Sequence, residues 1–419
     1  MSDGPVTEVY PDREAVQDVY RRHLSSGRAT LCEVMGAPLE VRSSGAYVYA
    51  PDGTAYLNCG GYGVFIVGHC HPLVVEAVVD QARRHPIQTH ALVEPVQAAA
   101  AEALLEVVPP ELDSLRFTNS GAECTEAGLK MARLHGKKHI VTMRNGFHGK
   151  TLGALSATAN PLYQDPFAPL LPSTAVPFGD AAALEAVIAG RDDCCVIVEP
   201  IQGEGGAVIP PPGYLSEVVA LCRRHEAFVI FDEIQSGLGR TGRWWASQRD
   251  ADAIPDIMLV GKGLSGGVVP VGAVLARSAI YRPFGTDLAL HSSTFAGSPI
   301  QTAAAHATIR AIESEGLVER ARDLGAELLA LAREIAHAEA ADMVRDVRGE
   351  GLLIGIEFAD PSLVVETMQE LMQRRVIANN SVNAVGVLRL TPPAVLEPSD
   401  IERLGDALVG GFRAAAAVL

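Results

Sequence analysis

The sequence predicts an α/β protein with a mostly parallel sheet flanked by helices, followed by a smaller α/β domain. From about residue 73 onward, short apolar segments alternate with longer segments of helical periodicity. The predicted strands are 114–118, 139–143, 195–199, 228–232 and 257–261. The predicted helices between and around them are 92–108, 120–135, 181–190 and 214–226. Such alternation is typical of parallel strands that are joined by crossover helices.

The N-terminal region breaks this alternation. Its first residues, up to about residue 40, have a helical and then an irregular pattern. Residues 41–56 predict a hairpin, because alternating residues flank the turn-forming run Pro51-Asp52-Gly53. We expect residues 1–60 to form a helix and a small hairpin that belong to the smaller domain.

The C-terminal region has a third pattern. A long helical region runs from Pro299 to about residue 338, and a strand-forming segment follows at 345–358. A helix near 362–375 and a last strand and helix complete the chain. We therefore expect a large domain over 61–305 and a C-terminal small domain over 306–419.

Composition excludes several classes of partner. The formal net charge is −16, from 34 basic and 50 acidic residues, which argues against nucleic acid or an anionic membrane. The seven cysteines are scattered and lack C-x-x-C spacing, which suits reduced thiols in a cytoplasmic protein. We see neither the apolar core of a signal peptide nor an apolar run long enough to cross a bilayer.

One lysine stands apart from the other four. Lys262 follows the apolar run 257–260 between two glycines, whereas the others all fall within 130–150. Glycines allow a cofactor to approach the backbone closely, and a lysine held there is well placed to form a Schiff base. The alternative is a surface lysine at the end of a strand.

An acid ends the preceding predicted strand. Asp232 follows the apolar run 227–231 and lies 30 positions before Lys262. Ligands of open α/β sheets bind beyond the carboxyl ends of the strands. A lysine and a carboxylate at two such ends suit pyridoxal phosphate, since the acid can hold the protonated pyridine nitrogen. Asp232 as a plain strand-end or helix-cap residue is the alternative.

These segments resemble the class III aminotransferases, which are pyridoxal-phosphate enzymes of fold type I. The run from Asp232 to Gly237 is similar to the family's Asp-Glu-Val-Gln-Thr-Gly, and the lysine segment to its Ser-Lys-Ala. Residues 59–69, 148–158 and 210–215 extend the similarity, which covers the chain from about Gly45 onward. Within the family, putrescine-type and then ornithine-type enzymes are the most similar.

The resemblance implies a cofactor site. It places the cofactor phosphate at the turn of Ser120, Gly121 and Ala122, where a helix N-terminus offers free backbone N–H groups. Ser120 as an ordinary N-cap is the alternative. The resemblance also implies that Phe147 lies against the pyridine face, with plain core packing as the alternative, and that Gln235 lies beside the pyridoxal oxygen. His148 is expected as a lining residue, without a partner visible in the sequence. Thr294 is expected to reach the phosphate of the other subunit in a homodimer.

The substrate side is also implied by the resemblance. Glu204 corresponds to a glutamate that pairs with an arginine near the C-terminus, here Arg389, and the pair acts as a gate. Closed, it tolerates an uncharged amine; open, it exposes Arg389 to a carboxylate. The alternative is a surface or interface ion pair. Glu199 is expected in the buried site, and Tyr62 at the substrate entrance or as a packed strand aromatic.

These observations predict an aminotransferase that moves the amino group of a terminal amine, such as a putrescine-like diamine or an omega-amino acid, to a keto acid such as 2-oxoglutarate or pyruvate. Alternatives are ornithine, acetylornithine, 4-aminobutyrate or pathway-specific biosynthetic transaminases. Less favoured are an aminomutase, racemase or decarboxylase on the same scaffold, and a module without catalysis. A dinucleotide enzyme would need Gly-x-Gly-x-x-Gly, which is lacking around Ser120. No metal site is expected.

Overall fold

The structure, a computed structural model that describes residues 12–419, begins with short helices and a small antiparallel sheet. Helices α1 (Arg13–Val19) and α2 (Ser26–Val34) flank a π-helical turn at Tyr20–Leu24. The strands that follow are β1 (Arg42–Ser44), β2 (Tyr47–Tyr49) and β3 (Ala55–Asn58). Gly53, with a φ of 84°, lies in the β2–β3 turn. The predicted hairpin is confirmed, whereas residues 1–11 of the predicted N-terminal segment lie outside the described residues.

The central sheet has seven strands in the order β4-β10-β9-β8-β7-β5-β6. They are β4 (Ser114–Thr118), β5 (His139–Met143), β6 (Ser173–Val176), β7 (Cys194–Val198), β8 (Phe228–Asp232), β9 (Ile257–Val260) and β10 (Gly272–Ala276). Only β10 runs antiparallel to its neighbours β4 and β9. The mostly parallel sheet is confirmed, but β6 and β10 were not predicted.

The two strands that were not predicted differ from the others in physical ways. Strand β6 lies at the sheet edge and is half exposed, so its residues lack an apolar run. Strand β10 is fully buried, but it follows β9 without the long crossover helix that a parallel neighbour needs. Because the connection is short, β10 returns antiparallel beside β9.

Helices cover both faces of this sheet. In chain order, the helices of residues 72–339 are α3 (Pro72–Arg84), α4 (Pro95–Leu105), α5 (Gly121–Leu134), α6 (Leu152–Ala157), α7 (Pro161–Gln164), α8 (Ala181–Ile188), α9 (Tyr214–Arg224), α10 (Ser278–Thr286), α11 (Pro299–Ser314) and α12 (Leu317–Glu339), of which α12 packs on the C-terminal region. Alternate residues of β7 face opposite sides: Val196 packs in the cluster of α9, and Ile197 in the cluster of α5. The predicted long helical region after Pro299 consists of two helices, separated at Gly316, whose φ is 61°.

The C-terminal region forms a second four-stranded sheet, in the order β11-β12-β15-β14. Its elements are β11 (Val344–Glu350), β12 (Leu353–Phe358), α13 (Ser362–Gln373), β13 (Val376–Ile377), β14 (Asn379–Asn380), β15 (Val387–Leu390) and α14 (Pro398–Ala416). Strand β13 instead pairs in parallel with β3, which joins the N-terminal hairpin to this region. That pairing favours grouping 1–60 with the small domain, although the boundaries 1–60, 61–305 and 306–419 stay a prediction.

Within residues 12–419, none of the helices combines the length and the apolar character that a membrane span requires.

The β11–β12 turn makes a tight contact that a methyl group should break. Gly351 has a φ of 55°, and an added Cβ would lie 2.5 Å from the carbonyl carbon of Thr241. Gly136 has a φ of 83° but no atom within 4 Å of an added Cβ. We expect Gly136→Ala to cost about 1 kcal/mol of unfolding free energy through backbone strain alone.

Gly351→Ala should cost at least about 2 kcal/mol more, because overpacking adds to the strain. Urea unfolding of both variants measures the difference, and equal losses would contradict the tight contact.

Candidate active site

The carboxyl ends of three parallel strands meet at one edge of the central sheet. Asp232 ends β8, Glu199 follows β7, and Lys262 follows β9 after Gly261. All three line a cavity of about 230 Å³. Its walls are Gly121, Ala122, Phe147, His148, Gly149, Glu199, Glu204, Asp232, Ile234, Gln235 and Lys262. The structure therefore brings together every predicted cofactor residue except Ser120 and Thr294.

Lys262 is held in an uncommon backbone conformation. Its φ is 42°, in the left-handed region that residues other than glycine rarely adopt. Tyr62 and Asn145, in neighbouring loops, also have positive φ, at 55° and 62°. Such residues cluster at functional sites, where surrounding contacts enforce them. Burial lowers the pKa of Lys262; the charge of Glu204 opposes this shift and Arg389 reinforces it, so the amine loses its proton more readily than an exposed lysine does.

Asp232 has a partner that sequence analysis missed. His148 Nδ1 lies 2.7 Å from Asp232 Oδ2, and both side chains are buried. The backbone N–H of Ile234 donates to the other carboxylate oxygen at 3.1 Å. Since a carboxylate accepts, we assign the imidazole hydrogen to Nδ1. His148 lines the cavity, and it also fixes the acid that is 84 positions away, a contact that the sequence analysis did not predict.

Glu199 fixes the backbone on two sides of the cavity. Its Oε1 accepts from the N–H of Phe147 at 2.9 Å, and its Oε2 from the N–H of Gly203 at 3.1 Å. Burial raises the pKa of Glu199 to about 7; His148 opposes this shift and Asp232 adds to it. The residue thus ties the turn that carries the aromatic ring to the loop that carries Glu204.

The N-terminus of α5 opens on the same cavity. The Ser120 hydroxyl accepts from the N–H of Glu123 at 3.2 Å. Its side chain is therefore a helix N-cap, which was the alternative to a phosphate contact. The backbone of Gly121 and Ala122 lines the cavity, and Ser120 lines an adjoining space of about 320 Å³ that Lys262 also borders. A helix N-terminus facing such a space is suited to a phosphate group.

The predicted gate, Glu204 with Arg389, is a buried ion pair. Arg389 Nη1 lies 2.7 Å from Glu204 Oε1, and the side chains are 0% and 4% exposed. The alternative of a surface pair is therefore excluded. Burial raises the pKa of Glu204, but the charges of Arg389 and then Lys262 lower it by more than burial raises it. The net shift of the pKa is therefore downward, and the carboxylate stays ionised. Among the described residues, Arg389 Nε and Nη2 have no hydrogen-bond partner.

Gln235 completes this pair. Its Nε2 donates to Glu204 Oε1 and to the carbonyl of Tyr62, each at 3.2 Å, and its Oε1 lies 3.4 Å from Arg389 Nη1. Residue 203 must be glycine for this arrangement, because a Cβ there would lie 1.6 Å from Gln235 Oε1. The glutamine thus touches both the gate and the cavity.

Tyr62 and Thr294 also lie outside the cavity. Tyr62 is 48% exposed in a 3-10 turn at Gly61–Gly63, and its ring lies 5.8 Å from the Arg389 guanidinium carbon. It is not a packed strand aromatic, and its place at the substrate entrance stays a prediction. Thr294 lines a separate groove of about 800 Å³, where its carbonyl lies 2.9 Å from His90 Nε2. Within one chain, the structure does not bring Thr294 to Lys262.

These contacts fit pyridoxal phosphate. A helix N-terminus, a buried carboxylate, an aromatic ring and an amine of lowered pKa surround one cavity. By contrast, no group of three or more His, Cys, Asp or Glu side chains in residues 12–419 is arranged to hold a metal ion.

Comparison with known proteins gives the same result. Residues 35–410 match the sequence model of the family Aminotransferase class-III. Ornithine aminotransferase from Toxoplasma gondii is 29% identical with a TM-score of 0.88, over 97% of this chain and 96% of that one. A second structure of that enzyme, with partial occupancy of PLP at its active site, is 28% identical with a TM-score of 0.88, over 99% of each chain.

An omega transaminase from Pseudomonas jessenii, in complex with PMP, is 26% identical with a TM-score of 0.84, over 93% of this chain and 95% of that one. The family match spans most of the chain, and the strand-end lysine and acid occupy one cavity. The chain therefore belongs to the class III aminotransferases, pyridoxal-phosphate-dependent transaminases of fold type I.

Proposed function

We propose that this transaminase takes the amino group of a terminal amine, a putrescine-like diamine or an omega-amino acid, and passes it to a keto acid such as 2-oxoglutarate or pyruvate. The buried Glu204–Arg389 pair carries this proposal. While the pair is closed, the ionised carboxylate of Glu204 lines the cavity and Arg389 does not. That environment favours a cationic amine without a nearby carboxylate.

The opened pair would serve the second substrate. Arg389 Nε and Nη2 are donors without partners among the described residues, and a guanidinium fork binds carboxylates bidentately. A dicarboxylic keto acid can therefore replace Glu204 as the partner of Arg389. Ornithine as the amine donor is a second candidate, which the similarity to ornithine aminotransferase favours.

The other site residues have distinct proposed roles. Pyridoxal phosphate, when bound, supplies a carbonyl that captures amines and an electron-withdrawing ring. The N–H groups of Gly121 and Ala122, with Ser120 beside them, would hold the phosphate, and Asp232, fixed by His148, would hold the proton of the pyridine nitrogen. Phe147 would cover the ring, while Glu199 fixes the Phe147 backbone.

Lys262 would act at its Nζ. The amine would hold the cofactor between turnovers and, once released, take the proton from the amine-bearing carbon of the substrate and return it. The lowered pKa of Lys262 supports this role, because a neutral amine can accept a proton. Gln235 would contact both the cofactor oxygen and the gate.

A homodimer is part of the proposal. The groove that contains Thr294 is bordered by Leu92, Val93 and Leu288, which are 80%, 96% and 74% exposed. An apolar surface of this kind is suited to contact with another protein. We infer that a second copy of the chain covers it and that Thr294 completes the phosphate site of that copy.

The proposed location is the cytoplasm. All seven cysteines are free thiols, and five of them, Cys59, Cys124, Cys194, Cys195 and Cys222, are buried. Such unpaired thiols suit a reducing compartment.

Lys262→Ala should abolish amino transfer while the protein remains folded. The control variant Lys137→Ala loses a contact to the Asp192 carbonyl and a cation–π contact to Phe228, both away from the cavity, and should keep its activity. Borohydride reduction of the loaded enzyme and peptide mapping would locate the pyridoxyl group. A label on a peptide that lacks Lys262 would sink the assignment.

Arg389→Ala should slow the half-reaction with 2-oxoglutarate by roughly a hundredfold or more, since two charge-assisted bonds contribute about 1.5–3 kcal/mol each. The half-reaction with a diamine should change much less, because a diamine offers no carboxylate. Arg389→Lys keeps the positive charge but loses the bidentate guanidinium, so its rate with 2-oxoglutarate should lie between those of wild type and Arg389→Ala. Stopped-flow measurement of the two half-reactions gives these rates. If Arg389→Ala slowed both half-reactions equally, the arginine would be structural, or the amine donor would carry its own carboxylate.

Val93→Glu should weaken the dimer, because it places a charge on the apolar groove. Val365→Glu, at a position on α13 that is 47% exposed and outside the groove, is the matched control. Sedimentation velocity should show a dimer for wild type and control, and a larger monomer fraction for Val93→Glu. A wild-type enzyme that is monomeric and active at the same concentration would contradict the shared site.

A further inference from the structure

A loop outside the predicted site holds the gate glutamate directly. Residues 381–383 begin the loop 381–386 that connects β14 to β15, the strand that carries Arg389. The N–H of Val382 donates to Glu204 Oε2 at 3.0 Å, and the N–H of Asn383 donates to the backbone carbonyl of Glu204, also at 3.0 Å. The loop therefore fixes both the side chain and the backbone of Glu204.

Asn383 anchors this loop to the other side of the cavity. Its Nδ2 donates to the carbonyls of Asn145 and Gly146, each at 3.0 Å, and its Oδ1 accepts from Asn160 Nδ2 at 3.0 Å. Asn145 and Gly146 directly precede Phe147 in the chain. One amide thus connects the gate loop to the turn that carries the aromatic ring.

A second anchor holds the residue that donates to Glu204. The hydroxyl of Tyr163, next to Asn160 on the α7 turn, donates to the carbonyl of Val382 at 3.2 Å. The Val382 carbonyl and the Asn383 N–H belong to one peptide group, so this contact and the bond to the Glu204 carbonyl hold that group from both sides. The group directly follows the Val382 N–H that donates to the Glu204 side chain. We call residues 381–383, with these anchors, the latch.

The latch contributes to the cost of opening the gate. In the closed position, Glu204 accepts from three groups: Arg389, Gln235 and the N–H of Val382. A carboxylate ligand that takes Arg389 must displace Glu204 from all of them. The apparent affinity of that ligand is its intrinsic affinity reduced by the fraction of molecules in which the gate is open. Any contact that exists only in the closed position lowers this fraction.

We propose that Asn383 is a positioning residue that sets the affinity of this enzyme for dicarboxylates by holding the latch against Glu204. The proposal rests on the proposed function of the Glu204–Arg389 gate. It concerns the dicarboxylic keto acid and not the amine, because only the acid must displace Glu204. Sequence spacing gave no sign of it, since 178 positions separate Val382 from Glu204.

A double-mutant cycle with glutarate tests the latch without turnover. Glutarate has two carboxylates and no keto group, so calorimetric titration of the holoenzyme reports binding alone. Asn383→Ala should tighten glutarate binding by roughly fivefold to tenfold, at the low end of the usual coupling between sites. In a Glu204→Ala background, where the latch has no side chain to hold, Asn383→Ala should change nothing.

Gln164→Ala is the matched control. Gln164 also lies on α7, but its amide bonds to the carbonyls of Leu155 and Ser156 and not to the latch. Its glutarate affinity should equal that of wild type. Tyr163→Phe removes only the hydroxyl contact to Val382, so it should shift the glutarate affinity in the same direction as Asn383→Ala. This second variant tests the proposal even if Asn383→Ala does not fold.

Two results would overturn the proposal: an unchanged glutarate affinity in both Asn383→Ala and Tyr163→Phe, or a change from Asn383→Ala that persists in full in the Glu204→Ala background. Failure of the proposed function would look different. In that case glutarate binding would still respond to the latch, while wild-type enzyme would move no amino group between terminal amines and keto acids.

Discussion

The site depends on one constraint: Glu204 and Arg389 are charged and almost completely removed from water. A buried charge without a partner is far less stable than a paired one, so neither residue can leave the other unless a new counter-charge arrives. Under the proposed function, a substrate carboxylate would supply that charge for Arg389, and a cationic amine would supply it for Glu204. A single pair would thereby serve two substrates of opposite charge in turn.

The fold provides this arrangement through the edges of two sheets. The parallel strands β7, β8 and β9 place Glu199, Asp232 and Lys262 at one edge of the central sheet. Strand β15 of the C-terminal sheet brings Arg389 to the same place. The close approach of the backbone at residue 203 to Gln235 requires a glycine, because a Cβ there would overlap the Gln235 amide. The gate is thus built between parts of the chain that lie far apart in sequence.

The sequence predicted what depends on local pattern. Lys262 and Asp232 were found because each follows a buried strand, and parallel strand ends must meet. The family resemblance added Glu204 with Arg389. Contacts without a local pattern were missed: the bond from His148 to Asp232, and the loop of Val382 against Glu204. The place of Thr294 depends on a second chain and stays a prediction.

The central claim is that one buried pair opens for carboxylates and stays closed for amines. The most direct measurement is a pair of crystal structures of the loaded enzyme, one with glutarate and one with a diamine that has been trapped by reduction onto the cofactor. With glutarate, Arg389 should bind a ligand carboxylate and Glu204 should have left it. With the diamine, the two side chains should remain in hydrogen-bond contact, as in the 2.7 Å pair described above. An unbroken pair in both structures would contradict the claim.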